Sequence, residues 1–146
     1  MAVNREELLD CLNDLIQTCR DGETGLQTAA DRVEDHRFKT YLSDCSIQRA
    51  QFVAELESEV RQLGGTPQKS GSMSGALRRG WMNLKSVVGG DRAILAECER
   101  GEESAIETYQ EVLKKNLPPN VLPVAKHQFM EIKRSFERLR ELDKAA

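Results

Sequence analysis

Apolar side chains recur every three or four residues along most of the chain, which is the spacing that predicts amphipathic α-helices. Four such segments are present, near residues 4–34, 37–63, 91–116 and 121–143. Strict alternation of apolar and polar residues, the pattern of a half-buried strand, is absent. The sequence therefore predicts an all-α protein in which each helix buries one apolar face.

The segments between the helices predict how they connect. "EDH" at 34–36 and "NLPPN" at 116–120 are short breaks, so two antiparallel helical hairpins should form. About 25 residues separate the hairpins, beginning at "GGTPQKSGS", and this is enough to cross the length of a bundle. We expect one domain, 1–146, built as two hairpins joined by a long crossover that carries a short helix within 72–88.

Composition and charge narrow the possible partners. The chain has 21 Lys and Arg against 24 Asp and Glu, a formal net charge of −3, which argues against a nucleic-acid partner. No apolar run approaches the roughly 20 residues that span a bilayer, and the N-terminus lacks the apolar core of a secretory signal. The four cysteines include no C-x-x-C pair, which favours free thiols. We expect a cytoplasmic protein that binds neither nucleic acid nor membrane.

The sequence Cys-x-x-Gly-Glu occurs twice, at 19–23 and at 98–102, each time in the first helix of a hairpin. The repeat indicates a bundle of two related halves. In both copies the glutamate falls on the apolar face, where a carboxylate needs a cation, a hydrogen-bond donor or a proton. Glycine inside a helix costs about 1 kcal/mol relative to alanine. Gly22 and Gly101 therefore suggest a close approach to the backbone, by a metal centre or by a tightly packed neighbouring helix.

The chain resembles the ferritin-like superfamily, and within it a bacterial family of ferritin-like four-helix proteins of unassigned function. The likeness covers nearly the whole chain. It is most specific in "SGSMSGALRRGWMNLKSVVGGDRAILAECERGE", with support from "LNDLIQTCRDGETG" and "RAQFVAELESEVRQLGG". The resemblance implies a ferritin-like four-helix bundle. It also implies a core site for two iron or manganese ions, bound by one Glu from each of two helices and a Glu-x-x-His from each of the others.

The ligand set that this resemblance implies is only partly present. Glu23 and Glu102 match the two lone glutamates. Where the second and fourth helices should supply Glu-x-x-His, they read "SIQRAQF" and "KHQFMEIKRSF", and neither has a histidine three residues after a glutamate. The candidate metal ligands are the acids and amides at matching positions: Glu23, Glu102, Glu131, Gln48, Gln51 and Gln128. Neutral amides coordinate iron and manganese poorly.

Two interpretations of these residues remain open. In the first, no cofactor is bound, and Arg49, Arg134 or the amides satisfy Glu23 and Glu102 in a structural polar network. In the second, a reduced ligand set binds iron or manganese, as a two-metal centre or as one weakly held cation between Glu23 and Glu102. If these two carboxylates face each other they repel, so changing both to Gln should leave stability unchanged or raise it. On the metal interpretation the same change should abolish stabilisation by added metal.

The crossover segment also has two interpretations. Its residues 77–88 place Leu77, Trp81, Leu84 and Val88 at helical spacing among basic residues. This pattern is typical of a basic amphipathic helix that binds a membrane surface or a partner. In a two-hairpin bundle it more readily describes a helix that lays its apolar stripe across the bundle, with Trp81 as the anchor.

Two classes of function follow. The preferred one is a non-enzymatic structural or interaction module, with a role in stress as one option. The alternative is a metal-dependent oxidase or a storage protein for iron or manganese. No Ser or Cys has a His at a catalytic spacing, and no P-loop is present. Apolar residues lie off the main helical faces at Leu9, Ile47, Val53 and Phe129, which favours self-association, and we expect a homodimer.

Overall fold

The computed structural model describes residues 3–67, 80–81 and 83–146. This part of the chain contains four helices, α1 (Arg5–Arg32), α2 (His36–Gln62), α3 (Asp91–Leu113) and α4 (Leu122–Ala145). The described residues include no strand. The all-α class is therefore confirmed, and the helix ends predicted from periodicity are right to within a few residues.

Side-chain caps fix the first hairpin. Asn4 accepts a hydrogen bond from the backbone N–H of Glu7 at 2.8 Å, which starts α1. Asp35 accepts from the backbone N–H of Arg37 at 2.8 Å, which starts α2 after a break of only three residues, 33–35. Capping of this kind satisfies backbone donors that have no partner inside the helix.

Contacts at the helix ends give the direction of each helix. The N–H of Val3 donates to the carbonyl of Asn116 at 3.4 Å, so the start of α1 lies beside the end of α3. At the opposite end, Asp91 accepts from the backbone N–H groups of Glu34 and Asp35 at 2.8 and 2.9 Å. Helices α1 and α3 are therefore antiparallel, and α2, which returns along α1, is parallel to α3. The connection from α2 to α3 must cross the length of the bundle, and the ferritin-like topology predicted from loop lengths is confirmed.

The end of the crossover is tied to α1. Arg32 donates to the carbonyl oxygens of Leu84 and Val87 at 2.6 and 2.8 Å. The Leu84 side chain is fully buried, in one cluster with residues of α1, α2, α3 and α4. The short helix predicted within 72–88 lies for the most part outside the described residues.

The core consists of two apolar clusters stacked along the bundle. One includes Leu15 and Tyr109, and the other includes Leu42 and Leu95, all of them inaccessible to solvent. Buried polar side chains lie between the two clusters. None of the helices in the described part of the chain is long and apolar enough to cross a membrane.

The apolar residues predicted to lie off the main faces differ in exposure. Leu9, Val53 and Phe129 are only partly exposed, because they pack against the first cluster. Ile47 is 59% exposed, and Met130, which the sequence did not single out, is 53% exposed. The uncovered apolar surface of the helices is therefore smaller than the sequence suggested, and its large residues lie on α2 and α4. Val88 of the crossover, which the sequence placed on the apolar stripe across the bundle, is instead 90% exposed.

Candidate functional site

All four helices meet in a polar layer between the two apolar clusters. Arg49 of α2 and Glu102 of α3 are 1% and 0% exposed. The Nη1 and Nη2 atoms of Arg49 donate to Oε1 and Oε2 of Glu102, both at 2.5 Å. This is the parallel two-bond geometry in which guanidinium and carboxylate pair most strongly. The centre of the layer is thus a buried ion pair.

Ser135 of α4 completes the pair. Its hydroxyl accepts from Nη2 of Arg49 at 2.8 Å and lies within hydrogen-bond distance of Oε2 of Glu102 and of the carbonyl of Ile132. Because a hydroxyl has one proton, Ser135 donates to only one of these two acceptors at a time. Burial alone lowers the pKa of Arg49, but the charge and hydrogen bonds of Glu102 outweigh it and raise that pKa overall. Arg49 is therefore a permanent cation in the core.

The first Cys-x-x-Gly-Glu copy makes room for this cation. A Cβ atom at Gly22 would lie 3.1 Å from Nη1 of Arg49, so any larger residue would crowd the guanidinium. Glu23, the next residue, is half-buried, and its carbonyl accepts from Ser46 at 2.8 Å. Its carboxylate makes no ion pair with any residue that the structure describes. Within the described residues, Glu102 is paired with an arginine and Glu23 is not.

The second copy makes room for an aromatic ring. A Cβ atom at Gly101 would lie 2.3 Å from the ring of Trp81, and one at Gly25 would lie 2.2 Å from it. Trp81 thus occupies a notch formed by glycines of α1 and α3. The two motif glycines suggested a close approach to the backbone. In each copy a single large side chain makes it, Arg49 at Gly22 and Trp81 at Gly101. The sequence had suggested a metal centre or a tightly packed neighbouring helix.

A second buried network lies beside the ion pair. The amide of Gln128 accepts from the hydroxyl of Tyr109 at 2.7 Å and donates to Glu55 at 2.9 Å and to the carbonyl of Phe52 at 3.4 Å. The Cys19 thiol is 3.1 Å from the same hydroxyl, and it must be the donor because Tyr109 gives its proton to Gln128. Burial raises the pKa of Cys19 to about 11 and the pKa of Tyr109 well above its ordinary value. Both groups are protonated near neutral pH.

The remaining candidate ligands lie nearer the surface. Gln48 donates to Glu131 at 3.4 Å, and Arg134 pairs with the other oxygen of Glu131 at 2.8 Å. Gln51 is exposed to solvent. The structure therefore brings Gln48 and Glu131 together, leaves Gln51 outside the core, and directs Arg134 to Glu131 and not to either repeated glutamate.

As they are arranged here, these side chains do not fit a two-metal centre. Both oxygens of Glu102 accept from Arg49, and both ends of the Gln128 amide are engaged. The two histidines, His36 and His127, are exposed. Within the described residues, no group of three or more His, Cys, Asp or Glu side chains could hold a metal ion.

Sequence reasoning missed three residues of this region. Ser135 and Tyr109 lie on the apolar faces of their helices, where one serine or tyrosine is an ordinary core residue. Gly25 lies outside the repeated motif. For Gly25 one signal was available in the sequence: it lies three residues after Gly22 and therefore on nearly the same helix face.

A family model described as Domain of unknown function (DUF2383) matches residues 7–115. No curated protein sequence matches the chain.

Two solved structures have the same fold. A two-domain protein of Anabaena variabilis, containing DJ-1/ThiJ/PfpI-like and ferritin-like domains, superposes with a TM-score of 0.80 at 12% identity over 99% of this chain. The present chain spans 38% of that protein. A dodecameric thioferritin, the bacterioferritin-related protein of Bacteroides fragilis, gives a TM-score of 0.78 at 17% identity over 95% of this chain and 85% of that one. At such identities the likeness establishes the ferritin-like fold.

Proposed function

Because this chain belongs to the family described as Domain of unknown function (DUF2383) and has the ferritin-like fold, we propose that it is a ferritin-like bundle without ferritin chemistry. It acts as a non-enzymatic structural or interaction module in the cytoplasm, where its four cysteines stay reduced. All four are buried free thiols, which agrees with a reducing compartment.

The guanidinium of Arg49 is the observation that carries this proposal. It lies in the core beside the glutamate that matches a metal ligand of the superfamily, and it uses both oxygens of that carboxylate. A metal ion placed there would be repelled by a fixed cation, and two unit charges about 4 Å apart interact by about 4 kcal/mol at an effective dielectric constant of about 20. The internal arginine therefore takes the place of the cation that a carboxylate in this layer requires.

The competing proposal is a metal-dependent oxidase or a storage protein for iron or manganese with a reduced ligand set. The bacterioferritin-related structural relative favours it, as does the half-buried carboxylate of Glu23, which no described residue neutralises. A single cation between Glu23 and Glu102 would require Arg49 to leave Glu102.

The two proposals differ in metal content. The test is elemental analysis of protein purified without chelator, followed by thermal melts with and without iron(II) or manganese(II). We expect far less than one metal ion per chain and no rise in the melting temperature. About two ions per chain, the number bound by the two-metal members of the superfamily, would overturn the proposal. So would a metal-dependent rise in the melting temperature that the Glu23→Gln/Glu102→Gln variant loses.

We also propose that the protein forms a homodimer through the α2 and α4 side of the bundle. Ile47 and Met130 are the exposed large apolar residues of these two helices. They precede Gln48 and Glu131, which touch each other across the helix pair, so the two apolar side chains belong to one region of the surface. Burying them in a symmetric contact removes both from water.

A further inference from the structure

A cleft with a volume of about 210 Å³ lies between α2 and α4. Tyr41, Asp44 and Gln48 of α2, which follow one another at helical spacing, form one wall, and Glu131 and Arg134 of α4 form the other. Asp44 and Arg134 are exposed, so in the single chain the cleft is open to solvent. The proposed dimer contact, at Ile47 and Met130, lies beside the lining residues Gln48 and Glu131.

The inner end of the cleft reaches the polar layer of the core. Its two most buried lining residues are Cys45 and Ser135, at 6% and 4% exposure. Both are short side chains, which leaves room between the helices. Ser135 also contacts Arg49 and Glu102, so this one side chain separates the inner end of the cleft from the buried ion pair.

The charges of the cleft do not cancel. Glu131 is paired with Arg134 at 2.8 Å, in an exposed contact within one helix, and such pairs are weak. Asp44 makes no ion pair with any residue in the described part of the chain. Two carboxylates and one guanidinium leave a net charge of −1, which disfavours an anionic ligand and favours a cation.

Geometry and size narrow the class of cation. No group of three His, Cys, Asp or Glu side chains among the residues that the structure describes could hold a metal ion there. A planar guanidinium instead matches carboxylates on facing walls, because it donates in two directions at once and can stack on the ring of Tyr41. A cleft volume of about 210 Å³ suits a short alkyl chain and is below the roughly 300 Å³ of pockets for larger ligands.

We propose that this cleft binds a small organic cation with a guanidinium head and a short alkyl chain. The head lies between Asp44 and Glu131. There it supplies the positive partner that Asp44 does not have among the described residues, and it competes with Arg134 for Glu131. The alkyl chain lies toward Tyr41 and Cys45. The cleft shares Gln48 and Glu131 with the candidate metal ligands, but the proposed head contacts neither Arg49 nor Glu102.

The first test compares butylguanidinium with N-butylurea, its neutral analogue of almost the same shape, by amide NMR titration of the wild-type protein. We expect butylguanidinium to shift amide signals of α2 and α4 around the cleft with a Kd on the order of 1 mM. N-Butylurea should bind at least about ten times more weakly, because it lacks the charge-assisted hydrogen bonds. Equal binding of the two probes, or no shift up to about 20 mM butylguanidinium, would overturn the proposal.

The second test locates the site with two matched variants. Asp44→Asn removes the unpaired carboxylate and should weaken butylguanidinium binding about ten-fold. Asp10→Asn, at an exposed aspartate of α1 outside the cleft, removes the same charge from the molecule and should leave the affinity unchanged. Equal losses in both variants would mean that the probe responds to net charge alone and that the cleft is not its site.

Discussion

Burying the charges of Arg49 and Glu102 opposes folding, because each ion loses several kcal/mol of hydration. Two short hydrogen bonds between them and a third from Arg49 to Ser135 offset this loss. The pair therefore contributes little net stability, but the fold requires both of its members together. Neither partner can be removed alone without leaving an uncompensated charge in the core.

Glu102→Gln should be strongly destabilising. Arg49 would keep its charge in a site that is 1% exposed, and we expect the free energy of unfolding to fall by about 3–5 kcal/mol. Urea denaturation followed by circular dichroism measures this loss. The sequence had suggested that neutralising both repeated glutamates would be harmless or stabilising. That expectation assumed two facing carboxylates, and the pairing of Glu102 with Arg49 replaces it.

Two further variants complete this experiment. Glu23→Gln, the same substitution in the other motif copy, should change stability by less than about 0.5 kcal/mol because Glu23 is half-buried and makes no described ion pair. The double variant Arg49→Met/Glu102→Leu should recover most of the loss, because it removes both charges. Similar small effects of Glu102→Gln and Glu23→Gln would contradict the assigned role of the ion pair.

Part of this site could be predicted from the sequence. Arg49 interrupts an apolar face, so it could be named as a possible partner for a buried glutamate. The sequence could not predict which glutamate Arg49 would reach, because Glu23 and Glu102 occupy the same position in two copies of one five-residue motif. The choice depends on the path of a long side chain between helices, and neither spacing nor composition encodes that path.

The crossover is held by shape complementarity between elements. Gly25 and Gly101 belong to the antiparallel helices α1 and α3, and together they accommodate the ring of Trp81. The helical periodicity of the crossover indicated that Trp81 would face the bundle. The sequence marked Gly101 as a point of close approach, but it could not indicate that Gly25 of another helix completes the notch or that Trp81 fills it.

Gly101→Ala should displace Trp81, since the new Cβ atom would lie 2.3 Å from the ring. Overpacking of this kind costs about 1–3 kcal/mol, and the better helix propensity of alanine returns about 1 kcal/mol. We expect a net loss of stability and a red shift in the fluorescence of the only tryptophan in the chain. In a Trp81→Ala background the same substitution should become stabilising. A stabilising effect in the wild-type background would show that the notch is not filled.

A pair of carboxyl groups, Glu99 of α3 and Asp143 of α4, makes the stability of the protein depend on pH. Burial, followed by the hydrogen bond and charge of Asp143, raises the pKa of Glu99 from 4.5 to about 7, although Arg140 and Lys144 lower it. In the folded state Glu99 therefore keeps its proton over a pH range in which the unfolded chain has lost it.

The sign of the effect follows from this difference in bound protons. Between pH 4.5 and about 7 the folded state binds more protons than the unfolded state, so stability falls as pH rises. We expect Glu99→Gln to remove part of this fall and to raise the melting temperature at pH 8 relative to wild type, with little change at pH 4.5. Glu103→Gln, at an exposed glutamate of the same helix, should retain the wild-type pH dependence. An unchanged slope in Glu99→Gln would contradict the coupling.

Architecture was the most predictable property of the molecule. The helices follow from a local periodicity, and the pairing of helices in hairpins follows from the lengths of the connections. Both can therefore be predicted from short stretches of sequence. The buried networks join residues as far apart as Cys19 and Tyr109, 90 positions along the chain. Contacts of that kind depend on how whole helices pack, which one sequence does not specify.

Self-association is testable with charged substitutions on the proposed face. Sedimentation velocity at about 10 µM should give the mass of a dimer. Ile47→Asp and Met130→Asp should each shift the equilibrium toward monomer, because a buried apolar contact would then contain a charge. Val88→Asp is the matched control, since Val88 is 90% exposed but lies on the crossover, away from this face. A wild-type monomer at this concentration would refute the dimer.

The long crossover between α2 and α3 has a consequence for the order in which the protein is expected to fold. Each hairpin closes over a short break, 33–35 or 114–121, whereas joining the hairpins closes the longer connection 63–90, which costs more loop-closure entropy. We expect the hairpins to gain helix early and to dock slowly, and Arg49 meets Glu102 only in that docking step because they belong to different hairpins. In stopped-flow refolding, ellipticity should therefore develop before Trp81 fluorescence, and simultaneous development would indicate one concerted transition. In any kinetic intermediate that precedes docking, the side chains of Arg49 and Glu102 would therefore still be hydrated.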